Sequence, residues 1–421
     1  MSLHNPHTTE VNKPALSLAE FVSLMALMTS LVALSIDAML PALDRIGLEL
    51  GSQNQQETYL IVSLFFIGMA FGQLYYGPVS DTKGRRYAIV SGLVVFSVGT
   101  VICMFAPTME ILLLGRVIQA FGVSGPRIAS LAVIRDQYAG DAMARVMSFI
   151  MMVFILVPMI APLFGQLIML WFEWRHIFTA FLFIGFAGGA WFFLRQPETL
   201  PANKRHGFSW ARLFDSSKFI LTHKVVMGYT LAMGFIFGAF VSYLGASQAI
   251  FDGIYHVGQA FPLYFAVLAF SIGFASFVNG KLVMRMGMFT LSKIALAGVV
   301  LGSTTLSILA LSYTGKPPLP IFVMVLFTTF FFVGILFGNL NAMAMLPLGH
   351  VAGLGAAIIG FISSFLSVPI AIFIGSYIVD SVSPMVMGFL VCSIAASIAV
   401  FWAGNPHQKE DSQEMPEQVI E

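Results

Sequence analysis

Charge is what this chain has least of: 10% of its 421 residues are Asp, Glu, Lys or Arg, against 58% hydrophobic, with a mean hydropathy of +0.88. A water-facing surface takes roughly a quarter charged residues, so a soluble globular domain is excluded. The net charge is only +1, and without a basic face to neutralise phosphates nucleic acid is excluded as a partner. The two cysteines, Cys103 and Cys392, both lie in apolar runs and are too few for a disulfide framework. There is no GxxxxGK[ST] phosphate loop, so nucleotide hydrolysis is not the energy source. No His/Glu/Cys spacing suits a metal, and His4, His7, His206 and His407 lie in polar segments. Nothing calls for a cofactor, an enzyme's catalytic centre or the repeated acidic or carbonyl ring of a channel. A cleavable signal is not expected either: residues 1–17 are polar, and no small-residue cleavage site follows the first apolar run.

What is present in quantity is lipid-soluble sequence. A spanning helix needs ~20 mostly apolar residues, and twelve such runs can be read, at 18–42, 56–80, 86–106, 108–135, 142–171, 174–194, 223–251, 258–284, 288–313, 318–348, 351–379 and 383–404. The expected fold is an all-α membrane protein of twelve transmembrane helices in two six-helix halves, 18–194 and 223–404. Residues 195–222, with Pro197, Pro201, Lys204, Arg205 and Arg212, form the polar linker between them. Residues 1–17 precede the first span, and 405–421 form a tail too polar to pack. Sixteen of the 21 Lys and Arg residues fall on the side of the N-terminus, only Arg45, Arg175 and Lys316 on the other, and Arg116 and Arg127 within a span. That asymmetry predicts that both termini are cytoplasmic.

One hydrophilic loop, Gly77-Pro78-Val79-Ser80-Asp81-Thr82-Lys83-Gly84-Arg85-Arg86, joins the second and third runs. A weaker copy, Gly280-Lys281-Leu282-Val283-Met284-Arg285-Met286-Gly287, keeps both glycines at an offset of 203 residues (77 to 280, 84 to 287). A duplicated bundle of membrane helices implies a secondary transporter.

Ionisable groups at membrane depth cost about 2.5–3.5 kcal/mol each on insertion scales, which makes them functional candidates. In the second half Asp252, Lys281, His350 and Asp380 all sit at span ends. The first half keeps Asp37 in the first span and Arg116 in the fourth, at matching depths, so an ion pair between them, direct or through water, is expected. Either that pair is structural, or Asp37 takes up and releases a proton as its surroundings alternate. Arg127 follows Pro126 eleven residues after Arg116, and at ~100° per residue it returns to within about 20° of the same face. Two guanidiniums on one cavity-facing stripe suit an anionic or zwitterionic substrate. The other reading has Arg127 on helix-end carbonyls or snorkelling to the cytoplasmic face.

With these residues in view, the sequence resembles the major facilitator superfamily over essentially its whole length, most closely the drug:proton antiporters of the bicyclomycin/chloramphenicol-resistance branch. The loop carries that family's signature through Gly77, Asp81, Gly84, Arg85 and Arg86, and the resemblance implies a gate in which Asp81 meets the start of the eleventh helix near Val351, where a helix N-terminus favours a carboxylate. Arg116-Val117-Ile118-Gln119-Ala120 resembles the motif whose Arg is implicated in proton transfer. Ser35-Ile36-Asp37-Ala38-Met39-Leu40-Pro41-Ala42 resembles the branch's acidic motif before a proline. Pro158-Met159-Ile160-Ala161-Pro162-Leu163-Phe164-Gly165 resembles the antiporter motif of the fifth helix, keeping Pro158, Pro162 and Gly165, with Ala161 in place of a glycine and Gln166 in place of another. Small residues and prolines there are expected to bring the fifth helix close to the eighth. Thr29 stands where some relatives hold a second acid, so Asp37 is expected to act alone, and Arg127 lies outside the family pattern.

The family's fold places a cavity between its halves, with Tyr59, Tyr243, Gln248, Asn339 and Asn341 as candidate liners that would orient a substrate in an apolar pocket. The 41 Phe and 24 Met residues suit an adaptable chamber, although ordinary packing accounts for any one of them. The implied function is proton-coupled efflux of small amphipathic compounds by alternating access. It would take place in a bacterial inner membrane, with small-molecule substrate, protons and the bilayer as partners and nothing demanding more than a monomer. A dedicated exporter of an anionic metabolite such as a carboxylate siderophore, with Arg127 as the clamp, or of a sugar, stays open. An importing symporter fits the fifth-helix motif less well.

Overall fold

Inside a bilayer the backbone finds no water to bond, so a chain this apolar must close its hydrogen bonds within each segment. In the computed structural model, which describes residues 16–52, 55–138, 140–205 and 217–405, twelve helices long and apolar enough to cross a membrane do so. They are α1 (Leu18–Asp37), α2 (Gln55–Lys83), α3 (Arg85–Met104), α4 (Met109–Gln137), α5 (Gly140–Trp171), α6 (Arg175–Arg195), α7 (Lys224–Gln248), α8 (Phe261–Met286), α9 (Met288–Ser312), α10 (Leu319–Met345), α11 (Ala352–Gly375) and α12 (Ser383–Ala403). The expected segments 1–15 and 406–421, and residues 206–216 of the linker, lie outside the described residues.

Two departures from the expected spans matter. The first run is not one helix: α1 stops at Asp37, and a 3-10 turn (Leu40–Ala42) and a short helix (Leu43–Glu49) follow. Pro41 has no N–H, and that N–H is the one that would close onto the Asp37 carbonyl four residues earlier. Asp37 is therefore the last residue of its helix rather than a mid-helix position. The Gly77–Arg86 segment is mostly helix rather than loop, because α2 continues through Pro78 to Lys83 and α3 begins at Arg85.

The whole connection is Gly84, at φ +106° and ψ 159°, a conformation that glycine alone enters freely. Gly287, its counterpart between α8 and α9, has φ +75° and ψ 153°, so the duplication read in the sequence repeats as a backbone turn. The surroundings of the two turns differ. A Cβ at Gly84 would run into the carboxylate of Glu198, whereas one at Gly287 would meet open space. Glu198 accepts from the N–H groups of Arg85 (3.0 Å), Arg86 (3.1 Å) and Leu200 (3.0 Å), which satisfies donors that the start of α3 cannot bond internally.

The helices pack where small residues let backbones approach. Gly92 and Gly99 on α3 face Gly115, Gly122 and Gly125 on α4, and an added methyl at any of them would strike the partner helix. Helix α1 and the short helix that follows it are each tied to α6: Glu20 accepts from Arg195 (2.8 and 2.9 Å) and Trp191 (3.2 Å), and Glu49, at the end of the short helix, from Arg175 and from Trp174 (2.5 Å) at the start of α6. Hydroxyls buried within spans, such as Thr29, Ser35 and Thr100, donate to the carbonyl one turn earlier.

Gly84→Ala should lower the thermal transition of the detergent-solubilised protein more than Gly287→Ala. Both variants carry about 1–3 kcal/mol of backbone strain, but only the first also displaces Glu198 from the start of α3. Equal transitions for the two variants would show that the Glu198 cap contributes nothing.

Candidate functional site

Among the described residues, hydrogen bonds that join the two halves lie at the end of the molecule opposite the Gly84 turn. Gln248, the last residue of α7, donates through Nε2 to the Pro41 carbonyl (3.0 Å) and accepts through Oε1 from the Asp44 N–H (3.4 Å). Tyr59 near the start of α2 donates to the Ile378 carbonyl beyond α11 (3.1 Å), and Gln166 late in α5 donates to the Gln259 carbonyl before α8 (3.2 Å). Nearer the Gly84 turn the halves touch through α2 and α11 by van der Waals contact, with Phe71 edge-on to Phe361 (5.3 Å) and Gly77 beside Ala357. The hydrogen-bonded seal among the described residues is thus at the far end. Tyr59 and Gln248, expected as substrate liners, have their polar atoms committed to this seal, because carbonyls around helix ends lack internal donors.

Between the ends, a ladder of aromatic rings forms the wall that the second half presents to the first. Phe66 of α2 packs edge-on to Phe237 of α7 (5.1 Å), which meets Phe337 of α10 (6.0 Å). Phe240 contacts Phe337 and Phe330 (5.5 and 5.7 Å), and Tyr243 meets Phe330 edge-on (4.7 Å) and stacks on Phe265 of α8 (6.1 Å). Residues 237, 240 and 243 recur every three positions on α7, and that periodicity was the signal in the sequence that could have singled them out. Asn339 does not face this space with free groups: it and Asn279 of α8 exchange two hydrogen bonds (3.0 and 2.9 Å). Asn341 is exposed.

Asp37 lies beside this wall. It is 5% exposed, belongs to no ion pair among the described residues, and interacts electrostatically with Tyr243, whose buried hydroxyl has no hydrogen-bond partner. A direct ion pair with Arg116 is not formed. Arg116 is fully buried and donates instead to the Ser35 carbonyl of α1 (3.0 Å), the Ile61 carbonyl of α2 (3.3 Å) and Gln119 Oε1 (2.6 Å), with its guanidinium over the Phe65 ring (4.4 Å). Ser35 O is one of the last carbonyls of α1, left over because the helix stops at Asp37, and a cation suits that helix end. Gln119 passes the chain on to Thr100 of α3 (2.9 Å). Arg116 therefore ties α1, α2 and α4 together, with no direct bond to Asp37 among the described residues.

Arg127 also faces α2, about three turns further along α4 than Arg116: its Nη1 lies 3.1 Å from the Met69 sulfur, and a thioether is a weak acceptor. It has no carboxylate partner among the described residues. Both prolines of the fifth-helix motif, Pro158 and Pro162, sit inside an unbroken α5. Gly165 makes its closest approach to α1 rather than to α8, since a Cβ there would strike the Ala38 carbonyl, next to Asp37.

At the Gly84 end, Asp81 pairs with Arg85, which also bonds Asp136 at the end of α4 (3.0 Å) and Ser80 (3.1 Å). Asp136 in turn accepts from Thr199 (2.8 Å). Asp136 and Glu198 were not picked out from the sequence, because an acid near a span end reads as an ordinary solvated group. The side chains at the start of α11, where Asp81 was expected to dock, lie outside the described residues. Arg86 turns the other way, donating to the Phe193 carbonyl of α6 (2.6 Å) with its guanidinium over the Phe193 ring (4.0 Å).

The model of the Major Facilitator Superfamily matches residues 18–369. The chain belongs to this superfamily. Its members are transporters, and the twelve-helix arrangement is that of the family. An uncharacterized transporter of the superfamily, YdgK of Bacillus subtilis (strain 168), is 28% identical over 402 residues, covering 95% of this chain and 97% of its own length. A bicyclomycin resistance protein homolog of Haemophilus influenzae is 28% identical over 386 residues, covering 91% and 95%. Among solved structures, the partially occluded inward open conformation of the xylose transporter XylE from E. coli superposes with a TM-score of 0.69 at 14% identity, over 95% of this chain and all of that one. At that identity the likeness shows the fold.

Replacing Gln248 with Ala removes two hydrogen bonds of the far seal, each worth about 1 kcal/mol. Hydrogen–deuterium exchange of residues 40–49 should then quicken by about thirtyfold. Unchanged exchange there would show that the seal rests on apolar packing alone.

Proposed function

We propose that this superfamily member is a proton-coupled secondary transporter that exports small amphipathic compounds by alternating access. It would act as a monomer in a bacterial inner membrane with both termini cytoplasmic. The observation that carries the reading is Asp37: a carboxylate buried at membrane depth, without an ion-pair partner among the described residues and within electrostatic reach of Tyr243 of the opposite half. A group in that position feels any relative motion of the halves. Opening the far seal separates α7 from the segment that follows α1, so the surroundings of Asp37 change with the same motion that exposes the cavity. One proton moving down a membrane potential supplies ~2.3 kcal/mol per 100 mV, enough to bias such a two-state element. The wall of Phe237, Phe240, Phe330 and Phe337 supports an apolar, ring-bearing substrate, and the relative named for bicyclomycin resistance supports export of drugs.

In this scheme Arg116 is a positioning residue that fixes the end of α1, and the Tyr243 hydroxyl is the donor available to Asp37 or to the substrate. The Asp81–Arg85–Asp136 cluster is proposed as the gate on the other side.

A second reading, a dedicated exporter of an anionic metabolite, draws support from Arg127, a guanidinium within a span whose recorded partner is a thioether sulfur.

Inside-out vesicles with a pH-sensitive dye test the proposal against a panel of drugs, siderophores and sugars. Asp37→Asn should keep substrate binding and abolish substrate-dependent proton release, and undiminished uphill transport by that variant would refute the assignment. Arg127→Ala should leave export of uncharged compounds intact while lowering export of anions by about tenfold or more, the scale of one lost charge-assisted hydrogen bond. Equal effects on both classes would remove Arg127 from recognition.

A further inference from the structure

The paired basic residues after Gly84 point in opposite directions, and only one of them is satisfied by protein anions. Arg85 is held by Asp81 and Asp136. Arg86 has no ion-pair partner among the described residues, and its Nε is buried without a hydrogen-bond partner. The neighbouring carboxylate, Glu198, is already engaged by the three N–H groups that it caps.

An apolar groove of about 580 Å³ lies between α3 and α6; its lining runs from Val90, one turn after Arg86, and includes Phe193, on whose ring the Arg86 guanidinium rests. The groove floor on α3 includes Val90, Val94 and Val101. These positions follow Arg86 at intervals of four, four and seven residues, which keeps all four side chains on one helical face. Gly185 and Gly189 of α6 supply the depth through their missing side chains, and Phe193, the ring beneath the Arg86 guanidinium, forms the end wall. From Val90 to Ile102 the groove extends for roughly 18 Å at 1.5 Å per residue, close to the depth of one leaflet of a ~30 Å hydrocarbon core. Val94 and Phe186 on its rim are exposed.

An apolar channel one leaflet deep, with a guanidinium that no carboxylate among the described residues neutralises one turn beyond its end, matches the two parts of an anionic phospholipid. We propose that this groove binds one acyl chain of such a lipid, with its phosphate on Arg86, on the leaflet at the Gly84 end. A guanidinium is suited to phosphate oxygens because it offers several donors in a planar fork, and basic positions between transmembrane helices recognise anionic head groups in the same way. The site is separate from the central cavity and does not rest on the transport reading.

The test is native mass spectrometry of the whole protein released from micelles, titrated with phosphatidylglycerol or with phosphatidylethanolamine of the same acyl chains. The wild type should hold one phosphatidylglycerol molecule in preference to phosphatidylethanolamine. Arg86→Gln should weaken phosphatidylglycerol binding by about tenfold, the scale of one charge-assisted hydrogen bond, and erase the preference, while Arg86→Lys keeps it. Ala190→Leu, which fills the groove without touching the charge, should weaken both lipids together. Thermal transitions of the variants establish that each is folded. Equal binding of the two lipids by the wild type, an Arg86→Gln variant that binds like the wild type, or a groove occupied by a second copy of the chain would each overturn the proposal.

Discussion

A helix that ends inside a membrane bundle leaves carbonyls and N–H groups that no water can reach, and much of the polar chemistry of this protein answers that constraint. Arg116 serves the end of α1 at the Ser35 carbonyl, Gln248 serves the Pro41 carbonyl just beyond it, and Tyr59 serves the Ile378 carbonyl beyond α11. Glu198 does the complementary task for the N–H groups that open α3. Each of these side chains comes from a different segment than the end it satisfies. The requirement to satisfy the backbone therefore also decides which helices are joined.

The consequence for function is that the seal between the halves is built from side chain-to-carbonyl bonds of ordinary length, 3.0 to 3.4 Å. Such bonds are worth about 1 kcal/mol net because they are exchanged for others when broken. A handful of them holds one state without making it permanent. A cross-half network of buried ion pairs would behave differently, since separating a buried pair costs several kcal/mol. The ion pairs of the described residues instead lie within the first half, where they join its own helices to one another.

Most of the architecture was legible in the sequence because lipid solubility is a property of runs, and runs are easy to read. Each of the twelve expected spans corresponds to a helix in the structure, and the duplicated glycines predicted a repeated turn that Gly84 and Gly287 make with matching dihedrals. The site was less legible, because depth along a helix does not fix direction around it. Asp37 and Arg116 have matching depths, yet the helix stop imposed by Pro41 hands Arg116 a carbonyl to cap and removes it from Asp37. Reading Pro41 as a helix end rather than as part of a motif would have exposed that competition. For Asn339 the missing knowledge was its neighbour: Asn279, 60 residues away in the chain, takes its amide. Nothing local in the sequence announces such a pair.

The division of labour between the halves follows from the same facts. Both in-span arginines and Asp37 lie in the first half, whereas the aromatic ladder at their interface is mostly contributed by α7, α8 and α10 of the second. A ring presents its negative face to cations and its edge to anions, so an aromatic wall accommodates either sign of charge without carrying one. On the proposed reading, a substrate held between the halves would meet directional polar groups on one side and a tolerant apolar surface on the other. Selectivity would then rest with α1 and α4, where a single substitution changes a charge, and breadth with α7 and α10, where several rings share each contact. That arrangement also explains why one duplicated fold keeps its polar signature strongly in the first copy and weakly in the second: only one half needs to discriminate, provided that the other does not object.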